Sequence, residues 1–179
     1  MRFHAIDDLV GALDDLGGRL DLVRVAEILH GTRIHDDALR PYLSWCAGRY
    51  TRNLLARRPH YELMALAWDD GARSGIHDHA DANCTFLVQH GAIVCEDWRV
   101  TSGGTLPGTC TLARDGTQTL RAGALDERSG PLSVHRVGAD GGRAVTLHVY
   151  AAPIDSFLAF DEAGTCRRVS SRYDSRRAP

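Results

Sequence analysis

From Tyr61 onward the chain is cut into short apolar runs by turn residues, and this punctuation constrains the fold more than any other feature. The runs cover residues 61–68, 74–77, 84–88, 92–98, 109–113, 117–122, 132–137, 145–151 and 157–160. Between them stand Asp69-Asp70-Gly71, Gly91, Ser102-Gly103-Gly104, Asp115-Gly116, Ser129-Gly130-Pro131 and Asp140-Gly141-Gly142. Many short strands closed by glycine-rich turns predict a mainly β architecture, a sandwich or a small barrel.

The first third reads as helix. Ile6, Leu9, Val10 and Leu13 recur at three- and four-residue spacing behind Asp7 and Asp8, and Gly17-Gly18 ends the segment. Residues 20–29 repeat the pattern, and a third helix is expected over 36–45, with Pro41 obscuring its start. At 179 residues one domain is expected. Residues 1–56 would form its helical part, 60–169 its barrel, and the polar, basic 170–179 a frayed tail.

Composition excludes several classes. The 44% hydrophobic and 25% charged residues are those of an ordinary globular protein, and a formal charge of −2 offers no nucleic-acid surface. No apolar run approaches the length of a membrane span, and the N-terminus lacks a signal-peptide layout, so no membrane partner and a cytoplasmic location are expected. Five cysteines without a CxxC pair argue for a reducing compartment rather than a disulfide framework.

Chemistry concentrates at Ile76-His77-Asp78-His79. In an extended strand His77 and His79 share one face, roughly 6–7 Å apart at Cα, a workable separation for two imidazoles on one metal ion. Asp78 faces the other way. An isolated HxH is more often two unrelated surface histidines. A third ligand would change that balance, and His135, in Ser133-Val134-His135-Arg136-Val137, is the natural candidate. Three neutral imidazoles with open positions suit zinc or ferrous iron.

In Thr146-Leu147-His148-Val149-Tyr150, alternation puts Thr146, His148 and Tyr150 on one face. That row reads equally well as an internal polar relay or as the solvated face of an edge strand. Arg52, at the passage from helix to strands, is by itself an ordinary surface arginine; inside a pocket it would be a permanently charged fork for a carboxylate.

These segments, together with Tyr50-Thr51-Arg52-Asn53-Leu54, Cys84 and Ala159-Phe160-Asp161, make the chain resemble cysteine dioxygenase, an iron-dependent thiol dioxygenase family of the cupin superfamily. Their order and spacing agree over nearly the whole length. The resemblance implies a cupin-type small β-barrel (jelly roll) behind a short N-terminal helical segment. It implies Fe(II) on His77, His79 and His135, and Arg52 and Tyr50 as substrate-binding residues. Tyr150, His148 and Thr146 would form the relay, with Thr146 where many members carry serine and Trp68 close by. Cys84 matches the cysteine that some members link to the tyrosine by a thioether. L-cysteine and O₂ would be the partners, and a monomer is expected.

Two positions depart from the family's pattern. Ala151-Ala152-Pro153 replaces Ser-Pro-Pro, and Cys95 stands where glutamate is common, with Glu96 beside it. Three rivals define the alternatives: a dioxygenase of another small thiol such as 3-mercaptopropionate, a non-enzymatic metal-binding cupin, and a zinc hydrolase. Relatives that prefer 3-mercaptopropionate tend to carry glutamine in place of Arg52. Simple metal binding requires no relay, and no glutamate is obviously placed as a hydrolytic base.

Overall fold

The computed structural model describes residues 2–18, 20–131 and 133–176. Three short helices come first: α1 (Ile6–Asp14), α2 (Leu22–His30) and α3 (Asp36–Leu39), the last continued by a 3₁₀ turn at Arg40–Tyr42. The strands follow as β1 (Tyr50–Arg58), β2 (Tyr61–Trp68), β3 (Ile76–His77), β4 (Asn83–His90), β5 (Ala92–Gly103) and β6 (Gly108–Arg121). The remainder are β7 (Leu125–Arg128), β8 (Val134–Ala139), β9 (Ala144–Ala151), β10 (Ser156–Phe160), β11 (Thr165–Ser170) and β12 (Ser175–Arg176).

Two sheets make the body. One runs β12-β1-β2-β9-β4-β7, and the other, β10-β11-β6-β5-β8-β3, closes on itself through β3 and β10. Alternation along β9 sends Leu147 and Val149 outward, where Leu63, Ala65 and Leu87 join them under α1 and α2. The apolar stripe of α1 (Ile6, Leu9, Val10 and Leu13) is buried there, and Asp21 caps α2 by accepting from the Val23 N–H at 2.9 Å. Each such leucine contributes about 1.5–3 kcal/mol by leaving water. The opposite face of β9 points into the barrel, against Met64, Leu66 and Phe86. β9 therefore lies between β2 and β4 and is no edge strand. Its polar row is interior.

Four expectations are corrected. Residues 50–56 are strand, not helix: Tyr50, Thr51, Arg52 and Asn53 alternate in burial, and β1 pairs antiparallel with β2 around a bulge near Leu55. The third helix is shorter than 36–45, because the α-helical hydrogen bonds end at Leu39 and Pro41 sits in the 3₁₀ turn. Asp115-Gly116 is a bulge inside one long strand rather than a turn, since Asp97 pairs with Gly116 and Trp98 with Arg114. The tail is not frayed over 171–176. The open edge of β1 presents unpaired backbone groups, which β12 takes up in parallel pairing. Leu132, the expected start of one strand, and residues 177–179 lie outside the described residues.

Gly91 shows why the turns need glycine. It joins β4 to β5 at φ +75°, and a Cβ there would lie 2.4 Å from the Arg143 carbonyl oxygen.

Candidate active site

Strand register assembles the histidines. His77 is the direct partner of His135 across β3 and β8, and His79 follows two residues on, just beyond the strand. Ala80, at φ 50°, turns the chain immediately afterwards. One nitrogen from each of His77, His79 and His135 lies within 4.8 Å of the others. Asp78 faces away and is spent structurally, accepting from the Leu158 N–H at 2.7 Å and the Ala80 N–H at 3.2 Å.

The donor set fits a divalent transition metal. Burial holds His77 down to a pKa of about 4 and pushes His79 and His135 well below the usual range, so all three are neutral at physiological pH. His77 Nδ1 lies 3.0 Å from the Gly75 carbonyl, and His135 Nδ1 lies 3.4 Å from Cys95 Sγ. Both contacts leave Nε2 free to face the centre. His79 Nδ1 is buried with no partner.

A second group, Cys95, Asp126 and His135, also has converging ligand atoms. There a guanidinium already serves as the cation. Arg128 donates to Cys95 Sγ at 3.0 Å and to Asp126 at 2.6 Å, and it also reaches Asp97. Burial pushes the Cys95 thiol up to about 12, which keeps it protonated. The three histidines, none of whose ring nitrogens is hydrogen-bonded to a guanidinium among the described residues, are the better metal site.

The polar row of β9 forms a chain of contacts. Trp68 Nε1 donates to Thr146 Oγ1 at 2.9 Å, and Thr146 Oγ1 lies 2.7 Å from His148 Nε2. On the other side of the ring, His148 Nδ1 lies 3.8 Å from Cys84 Sγ. Phe86 stacks on the His148 ring at 4.7 Å. Cys84 is the cross-strand partner of Tyr150, and burial raises the pKa of both side chains. The Tyr150 ring centroid is 6.0 Å from that of His79.

His77, His79, His135, His148 and Tyr150 line one small cavity with Tyr50, Arg52, Leu66, Trp68, Ser74 and Val137. Tyr50 stacks on Trp68 at 4.7 Å. Arg52 enters from β1, its Nη2 donating to Ser171 Oγ at 3.0 Å and touching Met64 Sδ at 3.6 Å. Its Nε–H is buried and unpartnered, a cost that an incoming carboxylate would relieve. All the site residues expected from the sequence thus border one cavity or, like Cys84 and Thr146, contact its wall. Arg128 and Ser171 were not anticipated. Each reaches the site from a charged or polar stretch that carries no periodicity or motif.

A barrel of this kind with histidines converging inside it is a cupin-type fold whose pocket could hold a metal. A solved protein with a double-stranded β-helix domain from Klebsiella pneumoniae superposes with a TM-score of 0.52 at 15% identity, covering 69% of this chain and 94% of that one. The family model for cysteine dioxygenase type I matches residues 6–163, and the chain belongs to that family. It is 27% identical to cysteine dioxygenase type 1 of Rattus norvegicus over 97% of this chain and 88% of the relative. It is 26% identical to that of Danio rerio over 90% and 82%. The family makes the chain an oxidoreductase of the thiol dioxygenase class. Among the described residues no helix is long and apolar enough to cross a membrane.

Proposed function

We propose that the chain converts L-cysteine and O₂ to cysteine sulfinic acid at a single ferrous ion held by His77, His79 and His135. The observation that carries this reading is one cavity lined both by three neutral histidines and by Arg52, whose Nε–H is buried and unpartnered. A bound iron would supply thiolate formation near neutral pH and the activation of oxygen.

The remaining work belongs to the chain. Arg52 receives the substrate carboxylate and, by fixing that end, aims the sulfur toward the histidines. Tyr150 keeps its phenolic proton, because burial disfavours the phenolate, and so presents an O–H donor to the reacting end. Thr146 and His148 hold that wall of the pocket in one hydrogen-bonded arrangement, anchored by Trp68. Leu66, Val137 and Trp68 limit access of water. A cytoplasmic location accords with the free, mostly buried cysteines.

A second reading has one observation in its favour. The described residues lining the cavity include no carboxylate, so no protein group there is placed to pair with an ammonium. A thiol acid lacking the amine, such as 3-mercaptopropionate, would enter the same clamp. Oxygen uptake on a panel of thiols, with metal analysis of the same sample, decides between them. L-cysteine should give the highest kcat/KM with about one iron per chain. Preference for 3-mercaptopropionate would overturn the substrate assignment, and an inactive iron-loaded protein would overturn the function.

A further inference from the structure

Arg52 is held almost entirely by a segment far from it in sequence. The backbone N–H of Arg52 donates to Asp174 Oδ2 at 2.9 Å, and the Asp174 N–H donates to the Arg52 carbonyl at 2.8 Å. At the tip, Nη2 donates to Ser171 Oγ at 3.0 Å. The segment is itself anchored on both sides of this contact. The Ser171 N–H donates to the Asp155 carbonyl at 2.8 Å, and Asp174 Oδ1 pairs with Arg49 at 2.9 Å. Between them Tyr173 bonds the buried Glu62, whose strand position is directly opposite Tyr150. Ser175 Oγ then donates to Asn53 Oδ1 at 2.9 Å on β1.

We propose that Ser171, carried on this docked segment, is a positioning residue that sets the guanidinium of Arg52 for the substrate carboxylate and thereby determines selectivity for carboxylate-bearing thiols. The proposal rests on the reading of Arg52 as the clamp. An arginine has many rotamers, and without a fixed partner at its tip the guanidinium would sample several of them over the cavity mouth. Ser171 takes one Nη2 proton, and Met64 Sδ faces the same nitrogen at 3.6 Å. This fixes the plane of the fork and leaves the neighbouring Nε–H buried and unpartnered in a residue that lines the cavity. A hydroxyl suits the role: it accepts from the guanidinium without neutralising it, whereas a carboxylate at the same place would compete with the substrate.

The test uses the iron-loaded full chain and three proteins: wild type, Ser171→Ala and Ser171→Thr. Each is assayed with L-cysteine and with cysteamine, which lacks the carboxylate. Ser171→Ala should raise KM for L-cysteine roughly three- to tenfold, the weight of one net hydrogen bond, with kcat within about twofold. KM for cysteamine, iron content and the thermal midpoint should stay unchanged, and Ser171→Thr should restore the wild-type KM. An unchanged KM for L-cysteine in Ser171→Ala overturns the proposal. So does an equal loss on both thiols, which would mark a merely structural residue. Wild type that does not distinguish L-cysteine from cysteamine would instead remove Arg52 as the clamp, and the role of Ser171 with it. Asp174→Ala, which frees the Arg52 backbone as well, should reproduce the effect of Ser171→Ala on L-cysteine and exceed it.

Discussion

Cys84 and Tyr150 are direct partners across β4 and β9, side by side on the inner face of the barrel, with His148 between the sulfur and the Thr146 hydroxyl. Paired side chains in such a ladder have Cβ atoms about 4.5–5.5 Å apart, close enough for a thiol to meet a phenol ring. Turnover with O₂ as oxidant should join Sγ to the ring with loss of one hydrogen from each. Intact-mass measurement after turnover should show a species lighter by two hydrogens, and digestion a linked peptide. Cys84→Ser should abolish that species and keep its iron. Full activity from wild type that never forms the link would leave Cys84 as a barrel cysteine only.

His135→Ala removes one of three converging nitrogens, so most iron and nearly all activity should be lost. Cys95→Ala is the subtler probe, because it strips the contact to His135 Nδ1 while leaving the ligand itself. Loss of such a supporting contact typically weakens metal affinity about ten- to a hundredfold. Competition against a metal-ion chelator measures this without turnover, and equal affinity in variant and wild type would show that Cys95 does not orient His135.

Arg52→Gln keeps a donor but loses the charge and the planar fork. A hydrogen bond to a charged partner in a shielded pocket is worth about 1.5–3 kcal/mol, which corresponds to a rise in KM for L-cysteine of roughly ten- to a hundredfold. The loss on 3-mercaptopropionate should be smaller. Measuring kcat/KM for both thiols in both proteins checks it, and a variant that loses nothing on cysteine would exclude the clamp.

Asp14 ties the end of α1 to β2. Burial disfavours its ionised form, but the Tyr61 hydroxyl, donating at 2.7 Å, and Arg58 outweigh this and hold the carboxyl below its usual range. A depressed carboxyl stabilises the fold above its unfolded pKa, and that contribution fades as pH falls through the folded value. Asp14→Asn should therefore be less stable than wild type at pH 7, with the gap closing in acid. Tyr61→Phe should cost about 1 kcal/mol at neutral pH, since Asp14 remains partly solvated. Denaturant titrations at several pH values measure both, and a gap that widened in acid would reverse the sign assigned to Asp14.

Much of this architecture is local and so could be read along the chain. Period-two alternation puts His77 and His79 on one face and Thr146, His148 and Tyr150 on another, and the glycine turns bound most of the strands. What alternation cannot say is which face is inside. The row on β9 is buried only because β2 and β4 flank it and the helices cover its reverse, a fact of sheet order rather than of the strand's own residues. Likewise, Asp115-Gly116 has the composition of a turn but lies in a ladder that continues past it, because the partner strand β5 is long enough to keep pairing.

Residues 170–176 show the same boundary most sharply. By composition they are a solvated tail, polar and charged apart from Tyr173, which packs against the barrel core. They are ordered by hydrogen bonds to a strand edge and to Arg49, Arg52 and Arg57, partners more than a hundred residues away. The sequence by itself determined the kinds of groups the site would contain: the imidazoles, the phenol, the thiol and the guanidinium. Only the tertiary structure decided that His135 would stand opposite His77, that Arg128 would fill the neighbouring acidic pocket, and that Ser171 would hold Arg52. Those meetings depend on strand register and edge pairing, which arise when distant segments share one core and leave no periodic trace in either segment alone.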